Sequence, residues 1–168
     1  MKFINEEHGE VSAINLIRCP KYLSLFAQWA ESEWGYVRNK GVKFRTELFK
    51  QYIESNGIPE IYGLFIQDAP VGMFAIEDCE SQDNTLFLNY LYITPKYRSA
   101  GIGTRTVELA KQICRTYNAE FMQLTTLETS MNAYYENLGG HIIGEEYFYT
   151  YPATRMEITL EPTGQERG

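Results

Sequence analysis

The sequence predicts one α/β domain, built on a mixed sheet with helices on both faces. Amphipathic helical stretches alternate with short apolar strands, which is typical of layered α/β folds. Between Leu86 and Leu127 the order strand, loop, helix, strand indicates a βαβ unit. No repeat, linker or low-complexity tract interrupts the 168 residues. We therefore predict a single domain over residues 1–168, with its core from about residue 11 to residue 160.

The first third of the chain is predicted to contain one strand and two helices. The strand covers Val11–Arg18. A helix follows from Pro20 to Trp34, where apolar residues recur every three or four positions, and Gly35 ends it. A second apolar stripe predicts a helix over Phe44–Ser55, which stops at Asn56-Gly57.

The middle of the chain is predicted to form three strands. Ile61–Gln67 and Val71–Glu77 are rich in β-branched, aromatic and aliphatic residues, and Asp68-Ala69-Pro70 supplies turn chemistry between them. This pattern predicts a hairpin. Leu86–Ile93 is mostly apolar and is predicted as a strand buried on both faces. Pro95 ends it, because proline cannot donate to a sheet ladder.

A helix, a strand and a shorter helix follow. Apolar residues at helical spacing predict a helix over Gly103–Tyr117, and Phe121–Leu127 is the strand that completes the βαβ unit. A short helix over Asn132–Leu138 stops at Gly139-Gly140. The sheet is therefore predicted to be mixed rather than antiparallel.

Two strands and a tail complete the prediction. The strands are Ile142–Tyr149 and Arg155–Leu160, separated by a turn at Tyr151-Pro152. The tail Glu161–Gly168 is expected to fray. The complete order is strand, two helices, three strands, helix, strand, helix, two strands.

Composition excludes several classes of function. A formal charge of −7 argues against nucleic acid as a partner, since phosphate binding depends on clustered Lys and Arg, and it slightly favours a cationic substrate. No segment has the roughly 20 apolar residues of a membrane helix, and no signal peptide precedes the domain. Three widely spaced cysteines favour a reducing, cytoplasmic setting. Neither the cysteines nor His8 and His141 have the spacing of a metal site or a catalytic triad.

The turn between the buried strand and the third helix carries the main functional signal. It contains Arg98-Ser99-Ala100-Gly101-Ile102-Gly103-Thr104. A helix N-terminus directs unpaired backbone N–H groups at one point and attracts phosphate. Gly101 and Gly103 let the backbone approach an anion, and Arg98 adds a positive charge at the rim. A Walker loop would need a lysine here, and a dinucleotide fingerprint would need glycine or alanine where Thr106 stands.

The remaining pattern is Arg/Gln-x-x-Gly-x-Gly/Ala, preceded by Leu91-x-Ile93-x-Pro95-x-Tyr97-Arg98. It resembles the coenzyme A site of GNAT-type N-acetyltransferases. The resemblance extends to Tyr135–Gly140, which is similar to the family's Tyr-Glu-Lys-Leu-Gly-aromatic box, and to the order of elements over nearly the whole chain. It implies the fold β-α-α-β-β-β-α-β-α-β-β with a splayed central sheet.

The same resemblance implies which residues bind acetyl-CoA. The pyrophosphate would lie on the turn, formed by Arg98, Ser99, Ala100, Gly101, Ile102, Gly103 and Thr104. The pantetheine arm would pair like an extra strand with the backbone of Leu91, Tyr92 and Ile93. The backbone N–H of Leu91 would donate to the thioester carbonyl as the oxyanion site.

Tyr135 is implied as the general acid that protonates the departing thiolate. Its neighbour Tyr134 could take that role instead, and core packing is a further explanation for an aromatic residue on a short helix. Tyr135 is preferred because of its register with the Leu-Gly that follows.

Three positions depart from the family pattern. Asn89 stands where many members have a glutamate that helps to deprotonate the amine, Glu128 replaces a common asparagine, and Gly140 replaces an aromatic residue. The general base is therefore unassigned. The acidic residues near the strand ends are candidates that ordinary solvation explains equally well: Glu77, Asp78 and Asp83.

The predicted reaction is direct acetyl transfer from acetyl-CoA to a primary amine on a small molecule, and the acidic net charge slightly favours a cationic one. Transfer to a protein lysine or N-terminus is an alternative, and a non-catalytic acyl-CoA-binding regulatory module is another. The aromatic residues of the first two helices could line an acceptor pocket or simply pack the core: Trp29, Trp34, Phe44 and Phe49. The terminal strands allow either a monomer or a homodimer.

Overall fold

The computed structural model describes residues 1–162, so the predicted tail from residue 163 onward lies outside the described residues. Eight strands form one sheet, and four helices cover it. The strands are β1 (Lys2–Asn5), β2 (Gly9–Asn15), β3 (Glu60–Ile66), β4 (Ala69–Asp78), β5 (Thr85–Ile93), β6 (Phe121–Thr126), β7 (Gly140–Phe148) and β8 (Tyr151–Thr159). The helices are α1 (Leu23–Trp34), α2 (Val42–Glu54), α3 (Ile102–Thr116) and α4 (Ser130–Asn137).

The sheet has the order β1-β2-β3-β4-β5-β6-β8-β7. Among these neighbours β5 and β6 are parallel, and each of the other pairs is antiparallel. The helix α3 makes the crossover between the two parallel strands, as a parallel connection requires. The predicted βαβ unit and the mixed sheet are confirmed.

Helices cover both faces of the sheet, as predicted. On one face, α1 and α2 bury Phe26, Ala27, Ala30 and Phe49 against the strands. On the other face, α3 buries apolar side chains that include Ile102 and Val107 in the larger core, and α4 packs Tyr135 at its edge. The sheet is therefore the middle layer of a three-layer domain.

The N-terminal strand β1 was not predicted. Its four residues alternate between exposed and buried, and Phe3 pairs with Val11 of β2. The predicted strand Val11–Arg18 is too long at its C-terminal end, since β2 stops at Asn15 and a 3₁₀ turn covers Leu16–Arg18. Asn15 causes the stop, because its side-chain oxygen accepts the N–H of Ile17 at 3.0 Å and caps the turn.

Both hairpin turns lie earlier in the chain than predicted, and each is two residues long. The β3–β4 turn is Gln67-Asp68, and both residues have positive φ, at 49° and 64°. That backbone is typical of a two-residue hairpin turn. Pro70 belongs to β4 and pairs with Phe65 beside a register shift, where a strand tolerates proline. The β7–β8 turn likewise lies at residues 149–150, before Tyr151.

No helix in residues 1–162 combines the length and apolar character needed to cross a bilayer. Cys19, Cys79 and Cys114 are all free thiols. Cys114 is fully buried on α3, and burial raises its pKa to about 12.

Candidate active site

The parallel strands β5 and β6 separate part-way along their length. They pair at Thr85, Leu86 and Phe87, and β6 then continues alongside β8 alone. In the described chain, the following part of β5 has no registered partner on the β6 side. A bulge reinforces the separation, because the register with β4 shifts between Met73 and Ala75, and Tyr90 has a φ of 53°.

The predicted pantetheine-binding residues lie on this separated segment. Tyr92 and Ile93 pair with β4 on one side, and the edge that faces β6 is left open. An open edge presents backbone N–H and C=O groups to a ligand, as the predicted role of Leu91 requires. The structure thus has an extended, unpaired backbone where an arm containing amides would fit.

The predicted phosphate-binding turn connects β5 to α3. After a 3₁₀ turn, Ser99 and Gly101 have positive φ, at 64° and 85°, and Gly101 is the residue immediately before α3. No side chain of residues 1–162 caps the first turn of α3, so its N–H groups are available to an anion. A Cβ built on Gly103 would lie 3.5 Å from the Tyr134 hydroxyl and otherwise meet open space. This geometry fits a pyrophosphate.

Arg98 lies against the end of β5. Its Nε donates to the carbonyl of Ile93 at 2.7 Å, and its guanidinium is 5.3 Å from the centre of the Tyr92 ring. It also makes an ion pair with Glu33, at 3.7 Å between Nη2 and Oε2. The side chain is 46% exposed, so these contacts leave it solvated. Its role in phosphate binding stays a prediction.

Asn5 supports the turn and was missed in the sequence. Its Nδ2 donates to the carbonyl of Ala100 at 2.7 Å, and its Oδ1 accepts the N–H groups of Glu7 and His8. The residue is only 6% exposed. It connects the β1–β2 hairpin to the phosphate-binding turn across 95 residues, and no local sequence signal marks such a contact.

The adjacent residues Tyr134 and Tyr135 have different environments. Tyr134 places its hydroxyl 2.9 Å from Thr104 Oγ1, at the start of α3. Tyr135 lines the cavity described below together with Leu91. Burial, and to a lesser extent the neighbouring Tyr134, raises the pKa of Tyr135 to about 12. Only the second tyrosine of this pair is therefore placed near the open edge of β5.

The cavity has a volume of about 510 Å³ and lies at the separation of β5 and β6. One wall is β5, including Asn89, Tyr90 and Leu91. Another comes from α1, α2 and their connection, and the β7–β8 turn closes a third side. Of the four aromatic candidates for an acceptor pocket, Trp34 and Phe44 line it. Phe49 is fully buried and Trp29 packs against the same core.

The three departures from the family pattern have different surroundings. Glu128 is exposed and lines the cavity. Gly140 has no room for a side chain, because a Cβ there would lie 2.9 Å from the backbone oxygen of Tyr135. Asn89 lines the cavity and donates its side-chain amide to Glu77. The predicted site residues Leu91 and Tyr135 therefore line the same cavity as Asn89 and Glu128.

The acidic candidates for the base do not line this cavity. Asp78 and Asp83 are exposed. Glu77 is largely buried beneath Asn89 and accepts the hydroxyl of Tyr52, and burial raises the pKa of its carboxyl group. In residues 1–162 no group of three His, Cys, Asp or Glu side chains could hold a metal ion.

The sequence model of the Acetyltransferase (GNAT) family matches residues 23–139. The chain belongs to the GNAT acetyltransferase family. The match covers α1 to the end of α4 and includes both the phosphate-binding turn and Tyr135. A search of curated proteins found no significant sequence relative.

Solved structures show the same GNAT fold. An aminoglycoside 6'-N-acetyltransferase complexed with coenzyme A is 18% identical, with a TM-score of 0.71 over 90% of this chain and 98% of the other. A chimera of spermidine N-acetyltransferase from Vibrio cholerae and its human counterpart is 16% identical, with a TM-score of 0.71 over 89% and 95%. A Bacillus anthracis protein assigned as a streptothricin acetyltransferase, in complex with acetyl coenzyme A, is 20% identical, with a TM-score of 0.58 over 67% and 68%.

The family membership confirms the predicted fold and the use of acetyl-CoA. The residues that bind the cofactor and carry the chemistry are not identified by these similarities, because identities of 13% to 20% define a shared fold. Their roles rest on the geometry of the separated strands, the turn and the cavity.

Proposed function

We propose that this GNAT protein transfers an acetyl group from acetyl-CoA directly to a primary amine of a small molecule. The observation that carries the proposal is the meeting of the Leu91 backbone and the Tyr135 side chain in one cavity, at the open edge of β5. When bound, acetyl-CoA supplies an acyl group activated as a thioester. The residues of this chain would bind acetyl-CoA, orient its acyl group and transfer protons.

The donor side of the site would be held mainly by backbone groups. The uncapped start of α3, with Gly101 and Gly103, would bind the pyrophosphate through N–H groups. The open edge of β5 over Leu91, Tyr92 and Ile93 would pair with the pantetheine amides. Leu91 would also donate its N–H to the acyl carbonyl oxygen, where negative charge develops.

Tyr135 would donate its proton to the sulfur as the carbon–sulfur bond breaks. A pKa of about 12 keeps the hydroxyl protonated at neutral pH, so the acid is ready in each cycle. The position of Tyr134 supports this choice, because its hydroxyl is engaged with Thr104 at the phosphate-binding turn. The amine nitrogen would form the new bond to the acyl carbon as the carbon–sulfur bond breaks, and its proton would pass to water. Tyr135 would then recover a proton from water, which restores the acid for the next cycle.

The cavity supports an acceptor of small-molecule size. Its volume of about 510 Å³ is in the range of pockets that enclose small ligands. Several of its walls are aromatic, which favours an acceptor with an apolar body. The alternative acceptors, a protein lysine or N-terminus, would have to enter the same cavity.

A non-catalytic acyl-CoA-binding module is the second candidate, and Asn89 favours it. Both ends of the Asn89 amide are engaged, by Glu77 and by the N–H of Tyr90, so this position supplies no base. Thermal unfolding with acetyl-CoA, combined with thiol release across a panel of amines, separates the two candidates. Tight binding without turnover on any amine would refute the transferase, and absence of binding would refute both.

A further inference from the structure

Within residues 1–162, one of the two arginines that line the cavity makes no ion pair. Arg45 is 4% exposed and pairs with Glu31, at 2.5 Å between Nε and Oε2. Arg38 has no carboxylate within ion-pair distance in residues 1–162, and its buried Nε has no hydrogen-bond acceptor there. Arg38 therefore makes no ion pair within the described part of the chain.

Contacts from α2 and from the β7–β8 turn hold Arg38 at the cavity wall. Its guanidinium carbon lies 4.8 Å from the centre of the Phe44 ring and 5.0 Å from that of Tyr149. Its backbone carbonyl accepts Nη2 of Arg45 at 3.0 Å. Stacking on aromatic rings occupies the faces of a guanidinium and leaves its N–H groups, which lie in the plane, for a ligand.

A partly buried charge without a partner costs free energy, so its presence in a cavity calls for a partner supplied from outside. The planar guanidinium matches the two oxygens of a carboxylate better than any neutral acceptor. The aromatic surroundings exclude water and strengthen such a pair. The chemistry at Arg38 is therefore that of a carboxylate site.

Negative charge is present elsewhere in the same cavity. Glu33 and Glu128 both line the cavity, and Glu33 is shared with Arg98. They lie near Tyr36, whose pKa is raised first by burial and then by these two carboxylates. The cavity thus carries both signs of charge, and an acceptor with one ammonium and one carboxylate would complement it.

We propose that the acceptor is an amino acid or a similar aminocarboxylate with an apolar body, and that Arg38 binds its carboxylate. The proposal rests on the proposed transferase function and names the class of its substrate. It differs from the expectation of a purely cationic amine that the net charge of −7 suggested. The aromatic residues Trp34, Phe44 and Tyr149 would contact the apolar body.

Matched acceptors that differ by one carboxylate test the proposal. Suitable pairs are L-phenylalanine with phenethylamine, and 6-aminohexanoate with pentylamine. We expect the wild-type protein to have the higher kcat/KM for the acid of at least one pair. Arg38→Gln should lower kcat/KM for that acid roughly 10- to 100-fold more than for its amine, the range for losing a hydrogen bond to a charged group. Lys40→Gln removes an exposed charge from the same connection and should leave this ratio unchanged.

Equilibrium binding of the same compounds to the protein with coenzyme A tests the carboxylate site without turnover. Tighter binding of an acid than of its amine, lost in Arg38→Gln and kept in Lys40→Gln, would support the carboxylate site at Arg38 even if no amine were acetylated and the transferase function failed. Acetylation of the amines with no preference for the acids would refute the carboxylate site and leave the transferase function standing. Equal losses for both members of each pair in Arg38→Gln would also refute it.

Discussion

Asn89 on β5 donates its side-chain amide to Glu77 on the neighbouring strand β4, at 3.1 Å between Nδ2 and Oε1. Its Oδ1 accepts the N–H of Tyr90 at 2.8 Å, at the residue with positive φ. The other oxygen of Glu77 accepts the hydroxyl of Tyr52. Asn89, which stands where many family members have a glutamate, therefore stabilises the bulge. The carboxylate of Glu77 holds the Asn89 side chain in place through a hydrogen bond.

We predict a pH-dependent stability that originates at Glu77. Burial raises the pKa of this carboxyl group above its value in the unfolded chain, although the hydrogen bonds from Tyr52 and Asn89 partly oppose the shift. The folded state therefore retains the proton more strongly. The contribution of Glu77 to the free energy of unfolding is fully present below about pH 4.5, and it is lost as pH rises through the raised pKa. Urea titrations from pH 4 to pH 8 measure it.

Glu77→Gln is the matched variant, since glutamine keeps the shape and does not titrate. The stability difference between wild type and variant should depend on pH in this window and be constant above it. The same variant tests the base, because Glu77 does not line the cavity and kcat should change by less than about tenfold, below the range for general-base loss. A larger fall in kcat would assign the base to Glu77.

We predict that Tyr135→Phe lowers kcat by about 100-fold or more and leaves the affinity for acetyl-CoA nearly unchanged. The phenylalanine keeps the ring in place and removes the proton that we assign to the departing sulfur. Steady-state kinetics together with calorimetric titration of acetyl-CoA separate the two effects. Tyr134→Phe is the control, and it should retain kcat, because its hydroxyl contacts Thr104 outside the reacting part of the site. The reverse ranking would move the acid to Tyr134.

We predict that Gly103→Val weakens acetyl-CoA binding roughly tenfold or more, which corresponds to about 1.4 kcal/mol, with little change in folding stability. The free protein has space for the added side chain, since the nearest atom to a Cβ is the Tyr134 hydroxyl at 3.5 Å. A bound phosphate would need that space. Gly144→Val on β7 is the control, because a Cβ there meets nothing within 4 Å. Equal affinity in both variants would place the phosphate elsewhere.

We predict that Asn5→Asp destabilises the phosphate-binding turn. Aspartate keeps the acceptor for the N–H groups of the hairpin and loses the donor to Ala100, so a partly buried carbonyl is left without its partner. The expected loss in the free energy of unfolding is about 1–3 kcal/mol, with weaker acetyl-CoA binding. Chemical denaturation and titration measure the two quantities. Asn56→Asp adds the same charge at an exposed site, and a similar loss there would contradict the explanation.

Local sequence signals predicted most of the secondary structure and the position of the glycine-containing turn before α3. Helical periodicity and the glycines near residue 101 depend on neighbouring residues, so α1, α2 and α3 lie within about three residues of their predicted bounds. The predicted turn at Asp68-Ala69-Pro70 was wrong, because a bulge in the strand pairing allows Pro70 to lie inside β4. A short strand such as β1 carries too few residues for a clear alternation.

The surroundings of the site residues could not be predicted in the same way. Arg38, Phe44 and Tyr149 come together only in the folded chain, and no short-range sequence pattern relates Arg38 to Tyr149. The same holds for Asn5 and Ala100, and for Glu77 and Asn89. These contacts depend on the order of strands in the sheet, which the resemblance implied and the residues themselves did not specify.

The separation of β5 and β6 has a consequence for how this protein could change through evolution. The donor-binding surface that we propose is main chain, which most substitutions leave intact. The acceptor-binding surface that we propose is side chain, supplied by the α1–α2 connection and the β7–β8 turn. A few substitutions around Arg38 could therefore redirect the enzyme to a new amine without altering its acyl donor.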